Sequence, residues 1–470
     1  MWIVVHSTLR GMHVVRRYWQ EFLACIVLAA SSALLHSYLF IVYGAHPLGY
    51  DTGFYRRFLI EPVASFPNSP VPGLGTDALL PRAFLDVLRG TLFSADSILY
   101  GSYFFLFAII PVLVFFLVRS KLEFLPAFLS GTFVVFSPIQ YNAFWYMLWK
   151  NSFGLVVMLA AFICIETGFF IPVLFLDIAI AFSHKTTTVI YLASLCAYLV
   201  IAKPRRKETA MHVIVTSFCL LLVNFPELRA SIRVRPEAIF LDWHMYFSLS
   251  LGFLILSVNG FRGLSPRVVP ETVSAFFIAS FIFPIFHLPF YQRVFVYSDL
   301  AFAMIAGIAC AYAASTINLK AFTTRNLISV GAIAIGIGLI AGSVWDQMRS
   351  IRPLTNAENV GKISFIARAL PGEAYLLTTS DEAPWFEGWT NAHVIAPGML
   401  RDTHNLEAWM IFWNSTSSSE KISFLDSFPK PLYIATTDDF SNILGSSTVP
   451  CILDTEPHLK YFDCEKKTNQ

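Results

Sequence analysis

Long apolar runs separated by short polar breaks occupy the first three quarters of the chain. A membrane-spanning helix needs about 20 mostly apolar residues. On that length the pattern predicts about eleven spans, at 21–43, 98–118, 122–140, 152–166, 169–184, 186–202, 208–226, 243–260, 270–288, 293–316 and 326–346. The first run follows Arg10, Arg16 and Arg17. It is too long for a secretory signal and lacks a small-x-small cleavage site, which predicts a retained span. Beyond 346 the apolar runs shorten and separate. Strand-like stretches at 374–379, 392–396 and 432–436 alternate with helix-like stretches at 404–413 and 419–428. The pattern therefore predicts a polytopic α-helical membrane domain, 1–345, and a small C-terminal α/β domain, 346–470. The segment 44–97, between the first two spans, is long and rich in Pro and Gly, and loops of that length are usually functional.

Composition agrees with the pattern. The 470 residues are 56% hydrophobic and 14% charged, with a mean hydropathy of +0.61. Soluble domains carry about 45–50% apolar and about 25% charged residues. This excludes a simple cytosolic enzyme, a disordered chain and a nucleic-acid-binding protein, so no nucleic-acid partner is expected. The net charge of +2 hides an asymmetry: 1–345 hold 23 Lys/Arg against 15 Asp/Glu, and 346–470 hold 10 against 16.

Orientation follows from Lys and Arg in short loops. With a cytoplasmic N-terminus, the inner loops carry Arg119/Lys121, Lys203/Arg205/Arg206/Lys207, Arg262/Arg267 and Lys320/Arg325. Eleven spans then place the acidic tail on the extracytoplasmic side of a plasma (inner) membrane. Cys451 and Cys464 are the tail's two cysteines. They can pair in an oxidising compartment; otherwise they are free thiols.

Ten cations nevertheless fall on the outer side: Arg56, Arg57, Arg82, Arg89, Lys150, Lys185, Arg229, Arg233, Arg235 and Arg293. Arg82, Arg89 and Lys150 read as side chains snorkelling from helix ends. Lys185 and Arg293, each beside polar or aromatic residues at the outer end of a span, read as a site for an anion such as phosphate. Asp51 opens the first outer loop within Gly49-Tyr50-Asp51-Thr52-Gly53-Phe54-Tyr55-Arg56-Arg57. A carboxylate there suits a general base or a metal that bridges a phosphate. It equally suits the cap of a short helix, and the two roles are compatible. His184 and Lys185 interrupt an apolar stretch. Asp177, seven residues earlier on nearly the same helix face, reads as a structural or pocket-lining group. Tyr291 flanks Arg293, and Tyr55 and Arg56 follow Asp51; all three are candidate pocket residues.

No Walker loop, Rossmann glycine fingerprint, HExxH or CxxC pair is present in the sequence. The chain instead resembles the GT-C superfamily of polyprenyl-phosphate-sugar-dependent glycosyltransferases. The resemblance rests on residues 49–57, on Trp149-Lys150-Asn151-Ser152-Phe153-Gly154 within 138–154, and on 183–188 and 289–300. In the tail it rests on 383–390 and 393–398. Asp51 is followed by Thr52 rather than a second carboxylate, and no Trp-Trp-Asp motif occurs. Both features set the chain apart from the mannosyl-, aminoarabinosyl- and oligosaccharyl-transferase branches.

The resemblance implies transfer of a sugar from a polyprenyl-phosphate carrier to a glycan, lipid or protein acceptor on the extracytoplasmic face. Asp51 takes the place of the catalytic or metal-assisting carboxylate, with a divalent cation (Mg or Mn) as its cofactor. Arg293, with Lys185 and His184, takes that of the groups that hold the donor phosphate. A transporter or flippase, or a polymerase or ligase of lipid-linked saccharides, is the alternative. A transporter predicts internal repeats, which the sequence does not show.

Overall fold

The computed structural model describes residues 2–44, 49–60, 79–202, 206–233, 243–261, 269–288, 291–317, 323–445, 449 and 451–464. Lys203, Arg205, Arg235, Arg262, Arg267 and Lys320 lie outside the described residues, as does 61–78 of the first outer loop. The side chains of Arg10, Arg16, Arg17, Arg206, Arg229, Arg233 and Arg325 lie outside them too.

The chain divides into two compact units. One comprises Met1–Val42, Asp77–Pro81 and Tyr100–Ile351; the other comprises Tyr43–Thr76, Arg82–Leu99 and Arg352–Gln470. The second unit thus takes in parts of the first outer loop as well as the tail, because a loop helix packs on a tail helix.

In chain order the helices are α1 (Trp2–Tyr43), α2 (Thr52–Ile60), α3 (Leu79–Arg89), α4 (Ala95–Arg119), α5 (Phe124–Val135), α6 (Pro138–Trp145) and α7 (Trp149–Thr167). There follow α8 (Phe170–Ala181), α9 (Lys185–Ile201), α10 (Arg206–Arg233), α11 (Trp243–Phe261), α12 (Glu271–Ile285), α13 (Tyr291–Thr316) and α14 (Thr324–Ser350). Among the described residues, five helices are long and apolar enough to cross a membrane, or six when α5 and α6 count as one span. This is fewer than the eleven that the hydropathy pattern suggests. Three apolar helices, α8, α9 and α12, are only 10–17 residues long. Apolar windows do not register the turns that cut such helices short.

The predicted span 122–140 shows this directly. It bends by 44° between α5 and α6. Ser137 caps α6 by accepting the Gln140 N–H, and Pro138 takes the first helical position. A proline there lacks an N–H that would be unpaired anyway, and it turns the preceding residue away from helix. The break is fastened to α13: the Ser137 hydroxyl and the Gln140 amide donate to Asp299 Oδ2 at 2.6 and 2.9 Å.

Helix α13 is the centre of this unit, fully buried along its apolar window. Its small residues Ala301, Ala303, Ala306, Ala309, Ala311 and Ala313 are all buried, which lets neighbouring backbones approach closely. Two buried carboxylates of the bundle are paired, as their desolvation requires. Asp177 on α8 accepts from Tyr191 on α9 (2.8 Å) and lies 2.7 Å from His212 Nδ1 on α10, all three enclosed. Asp177 therefore ties three helices together. Glu166 accepts from the backbone and hydroxyl of Thr272 at 2.7 and 2.8 Å and lies 3.5 Å from Lys121.

The tail adds α15 (Ala357–Ala369), β1 (Tyr375–Leu377), α16 (Ala383–Trp389), β2 (His393–Ala396), β3 (Met399–Leu400) and α17 (Leu406–Asn414). It continues through α18 (Ser418–Asp426), β4 (Leu432–Ala435), α19 (Ser441–Leu444), β5 (Ile452–Glu456) and β6 (Leu459–Phe462). The six strands form one sheet in the order β3-β2-β1-β4-β6-β5. β1 is parallel to β2 and β4, and the remaining pairings are antiparallel. Side chains alternate across a strand. Leu377 and Ile395 accordingly join a core with Trp409, Phe412 and Leu425, while Leu376 and Val394 join another with Ile366, Trp385 and Phe386.

Cys451 and Cys464 form a disulfide across 13 residues, flanking the β5–β6 hairpin. Closing a loop of about 15 residues stabilises a fold by about 3 kcal/mol. Replacing both cysteines by alanine is expected to lower tail stability by about that amount. Denaturant melts of the intact chain, with and without reductant, measure it; equal melts would show that the bridge contributes nothing.

Candidate functional site

The groups that carry chemistry form one cluster in each unit. In the helical unit, the turn between α8 and α9 is built from Ser183 and His184. Its hydroxyls fold back onto the backbone: Ser183 donates to Ile180 O (2.8 Å), and Thr188 bonds Ile180 O and His184 O (3.0 and 2.9 Å). His184 caps α9, its Nδ1 facing Thr187 N at 3.4 Å and Thr187 Oγ1 at 3.2 Å. Thr187 Oγ1 in turn meets the Tyr297 hydroxyl of α13 at 2.5 Å. Helix α7 approaches this turn so closely that a Cβ on Gly154 would lie 2.8 Å from Thr187 Oγ1 and 3.0 Å from Ser183 Oγ. A side chain at 154 would push the turn away.

His184 is fully enclosed, and the positive charges of Lys150, Arg293 and Lys185 all act on its ring. Its Nε2 and the hydroxyl of neighbouring Thr186 are buried without a hydrogen-bond partner. Orphaned polar atoms are costly unless a ligand or water completes them. Lys185 opens a 17-residue helix, the charges of Lys150 on α7 and Arg293 on α13 act on the same imidazole, and two polar atoms there are unsatisfied; this setting favours an anion. The charges that reach His184 are thus those of Lys185 and Arg293 and, in addition, of Lys150, which sequence reasoning assigned to snorkelling. Lys150 lies at the start of α7, beside the glycine-bearing face that meets the turn; its place in Trp149-Lys150-Asn151 was the available signal.

Tyr291 stands two residues before Arg293 on α13. It meets His287 edge-on at 5.0 Å and Phe295 at 6.3 Å. Phe295 also contacts Trp243 and Tyr246, at 4.9 and 4.5 Å. Tyr291 thus belongs to an aromatic group at one end of α11, α12 and α13.

In the other unit, Asp51 immediately precedes α2 and is half-buried. Its carbonyl accepts the Tyr55 N–H at 3.2 Å, and the Thr52 hydroxyl donates to Gly49 O at 2.8 Å, so the backbone here starts the helix. Tyr50 donates to Ser380 O at 2.5 Å and reaches Met399 Sδ at 3.3 Å. Burial, and then the charges of Asp381 and Asp51, raise the Tyr50 phenol above its ordinary value. Asp51 and Asp381 therefore both act on one tyrosine. Among the described residues, no group of three or more His, Cys, Asp or Glu converges as a ready-made metal cage.

Tyr55 is buried, and the two arginines after it hold α2 to the tail. Arg56 donates to Asp96 (2.7 Å) and Gly388 O (2.5 Å), and its guanidinium lies 4.6 Å from the Trp389 ring centroid. Arg57 donates to Thr390 O at 2.8 Å and lies 4.0 Å from Glu387, which Arg401 also approaches at 3.2 Å. Arg82 is buried with its guanidinium 5.6 Å from the Phe58 ring centroid and 3.9 Å from Asp86. These outer-loop cations have internal work in the tail unit.

No protein-family model and no curated protein matches the chain. Solved structures do. One is the archaeal oligosaccharyltransferase AglB from Archaeoglobus fulgidus in complex with an inhibitory peptide and a dolichol-phosphate. It shares 11% identity over 89% of this chain and 70% of that one, with a TM-score of 0.65. The same organism's oligosaccharyltransferase in complex with Zn and sulfate matches at TM-score 0.60 and 11% identity, over 87% and 68% of the two chains. ArnT from Cupriavidus metallidurans in the apo state matches at TM-score 0.54 and 13% identity, over 87% and 92%. At these identities the likeness is one of fold: the chain shares the fold of the archaeal oligosaccharyltransferase AglB and of ArnT.

Proposed function

We propose that the protein transfers a sugar from a polyprenyl-phosphate carrier to a glycan, lipid or protein acceptor on the extracytoplasmic face of the plasma (inner) membrane. The observation that carries the reading is the pair of buried polar atoms without partners, His184 Nε2 and Thr186 Oγ1, in the field of Lys150, Lys185 and Arg293. The distribution of loop Lys and Arg supports a cytoplasmic N-terminus and an outer tail.

In this reading Asp51 accepts the proton of the acceptor hydroxyl. The acceptor oxygen bonds to the anomeric carbon, and the bond from that carbon to the phosphate oxygen breaks. Its electron pair leaves with the polyprenyl phosphate. Arg293, Lys185, Lys150 and His184 stabilise the charge that grows on that phosphate, which is where fixed cations contribute most. Asp51 would hold a divalent cation such as Mg or Mn, since Mg is commonly held by one or two carboxylates together with substrate phosphates. Bound there, the cation would polarise a phosphate oxygen.

Charge-assisted contacts contribute about 1.5–3 kcal/mol each. Arg293→Ala is therefore expected to lower kcat/KM for the lipid-linked donor by about tenfold to a hundredfold. Transfer kinetics at varied donor concentration measure this. A donor response equal to that of the wild type removes Arg293 from the phosphate site.

A further inference from the structure

Helices α17 and α18 line an open cleft of about 340 Å³ that the transfer chemistry does not use. We infer that this cleft binds a neutral saccharide and holds acceptor glycan on the tail. The inference rests on the sugar-transfer reading for its purpose but not for its chemistry.

The cleft is apolar on one side and rich in hydroxyls on the other. Phe412 and Phe424 stack on each other at 4.6 Å and 25° at its base, and Ala408 and the exposed Ile411 complete the apolar side. Ser415 donates to Glu420 Oε2 at 2.6 Å, and Ser423 also lines the cleft. His404 and Ser427 supply another polar edge, His404 Nε2 lying 3.0 Å from Ser427 Oγ. The His404 ring is held in place. Its Nδ1 lies 3.1 Å from the buried Asp402 carboxylate, which also accepts from Gly398 N (2.8 Å), His404 N (2.9 Å) and Trp409 Nε1 (2.6 Å).

This lining selects by charge and shape. It contains one carboxylate and no Lys or Arg. An anion would be repelled by Glu420, whereas a neutral polyol finds an acceptor there and several rotatable hydroxyls. The C–H face of a pyranose ring suits the apolar side formed by Ala408, Ile411 and Phe424. The volume lies at the lower end of small-molecule sites, about 300–1,000 Å³, which fits a short saccharide better than a folded surface.

The order Asp402–His404–Ser427 also has the connectivity of a nucleophilic triad. Ser427 is, however, the C-cap of α18 and donates to Phe424 O at 2.5 Å. An alkoxide or oxyanion would form at the negative end of that helix, where it is disfavoured. The line therefore fixes a polar edge rather than an attacking group.

The test is saturation-transfer NMR on the intact chain in phosphatidylcholine nanodiscs, with no lipid-linked donor present. The probes are maltose, cellobiose, mannobiose and chitobiose, with digalacturonic acid and an uncharged heptapeptide as competitors. At least one neutral disaccharide should give a signal. Ser423→Trp, at an exposed position that points a large ring into the cleft, should remove it. Glu420→Gln should weaken binding about tenfold. Glu407→Gln, on α17 but not lining the cleft, should leave it unchanged. Absence of any disaccharide signal, binding of the acid or peptide alone, or an undiminished signal in Ser423→Trp each overturns the site. Transfer assayed separately keeps the two readings apart: transfer without saccharide binding overturns only the cleft, and binding without transfer overturns only the enzyme.

Discussion

Alanine at position 53 is expected to detach α2 from α16. A Cβ on Gly53 would sit 1.7 Å from Pro384 O, 2.5 Å from its carbonyl carbon and 3.2 Å from Trp385 N. All three are backbone atoms, so no side-chain rotation relieves the clash. The partner position is equally closed: a Cβ on Gly388 would lie 2.5 Å from Gly53 Cα. Separation has further costs. Arg56 loses Gly388 O, Arg57 loses Thr390 O, and the enclosed Glu387 carboxylate loses one of its two arginines. Overpacking costs about 1–3 kcal/mol, and breaking a buried pair costs about 3–5 kcal/mol. Gly53→Ala should therefore destabilise the tail unit by about 3–5 kcal/mol. Tryptophan-fluorescence melts and limited proteolysis of the intact chain report it through Trp385 and Trp389. Gly361→Ala is the control, since a Cβ there meets nothing within 4 Å, and Gly→Ala inside a helix stabilises by up to about 1 kcal/mol. A melt of Gly53→Ala that matches the wild type would refute the contact.

That contact also shows where sequence reading stops. The central strands of the tail are visible as apolar stretches: 374–379, 392–396 and 432–436 contain β1, β2 and β4. They are buried, and burial shows in composition. The β5–β6 hairpin is not visible in this way. Three of β5's five residues, Asp454, Thr455 and Glu456, are exposed and polar, so pairing rather than apolarity makes it a strand. In the helical unit, the apolar window 122–140 runs over the turn at Ser137-Pro138 although Ser-Pro marks it, whereas His184-Lys185 separates two spans in the sequence as it separates α8 and α9 in the fold.

The arginines show the same limit in charge. Arg56 reads as a free outer-face cation because its partners, Asp96, Gly388 and Trp389, lie 40 to more than 330 residues away. Lys150 reads as a helix-end anchor because His184 is on another helix. Local sequence reports that a cation is displaced to the outer side. Only the fold shows which cations tie α2 to the tail and which lie in the electrostatic surroundings of His184.

Asp51→Asn is expected to lower the transfer rate by about 10²–10⁴, the usual contribution of a general base. The donor KM should change little, because the donor phosphate is held by Arg293, Lys185 and Lys150 in this reading. The substitution is informative because it spares the other role of Asp51. Asparagine is as good an N-terminal cap as aspartate. The backbone bond from Tyr55 N to residue 51 O does not involve the side chain. A lost rate in Asp51→Asn therefore reports the lost carboxylate charge rather than a lost helix. Asp51→Glu separates two ways in which that charge can act. A carboxylate that takes the proton directly must meet the acceptor hydroxyl within hydrogen-bond reach, so one extra methylene should leave the rate well below wild type. A carboxylate that acts through a divalent cation has more latitude, and its glutamate variant should recover when Mg or Mn is raised. Full activity in Asp51→Asn, at any metal concentration, would remove Asp51 from the chemistry and leave it as the residue that begins α2.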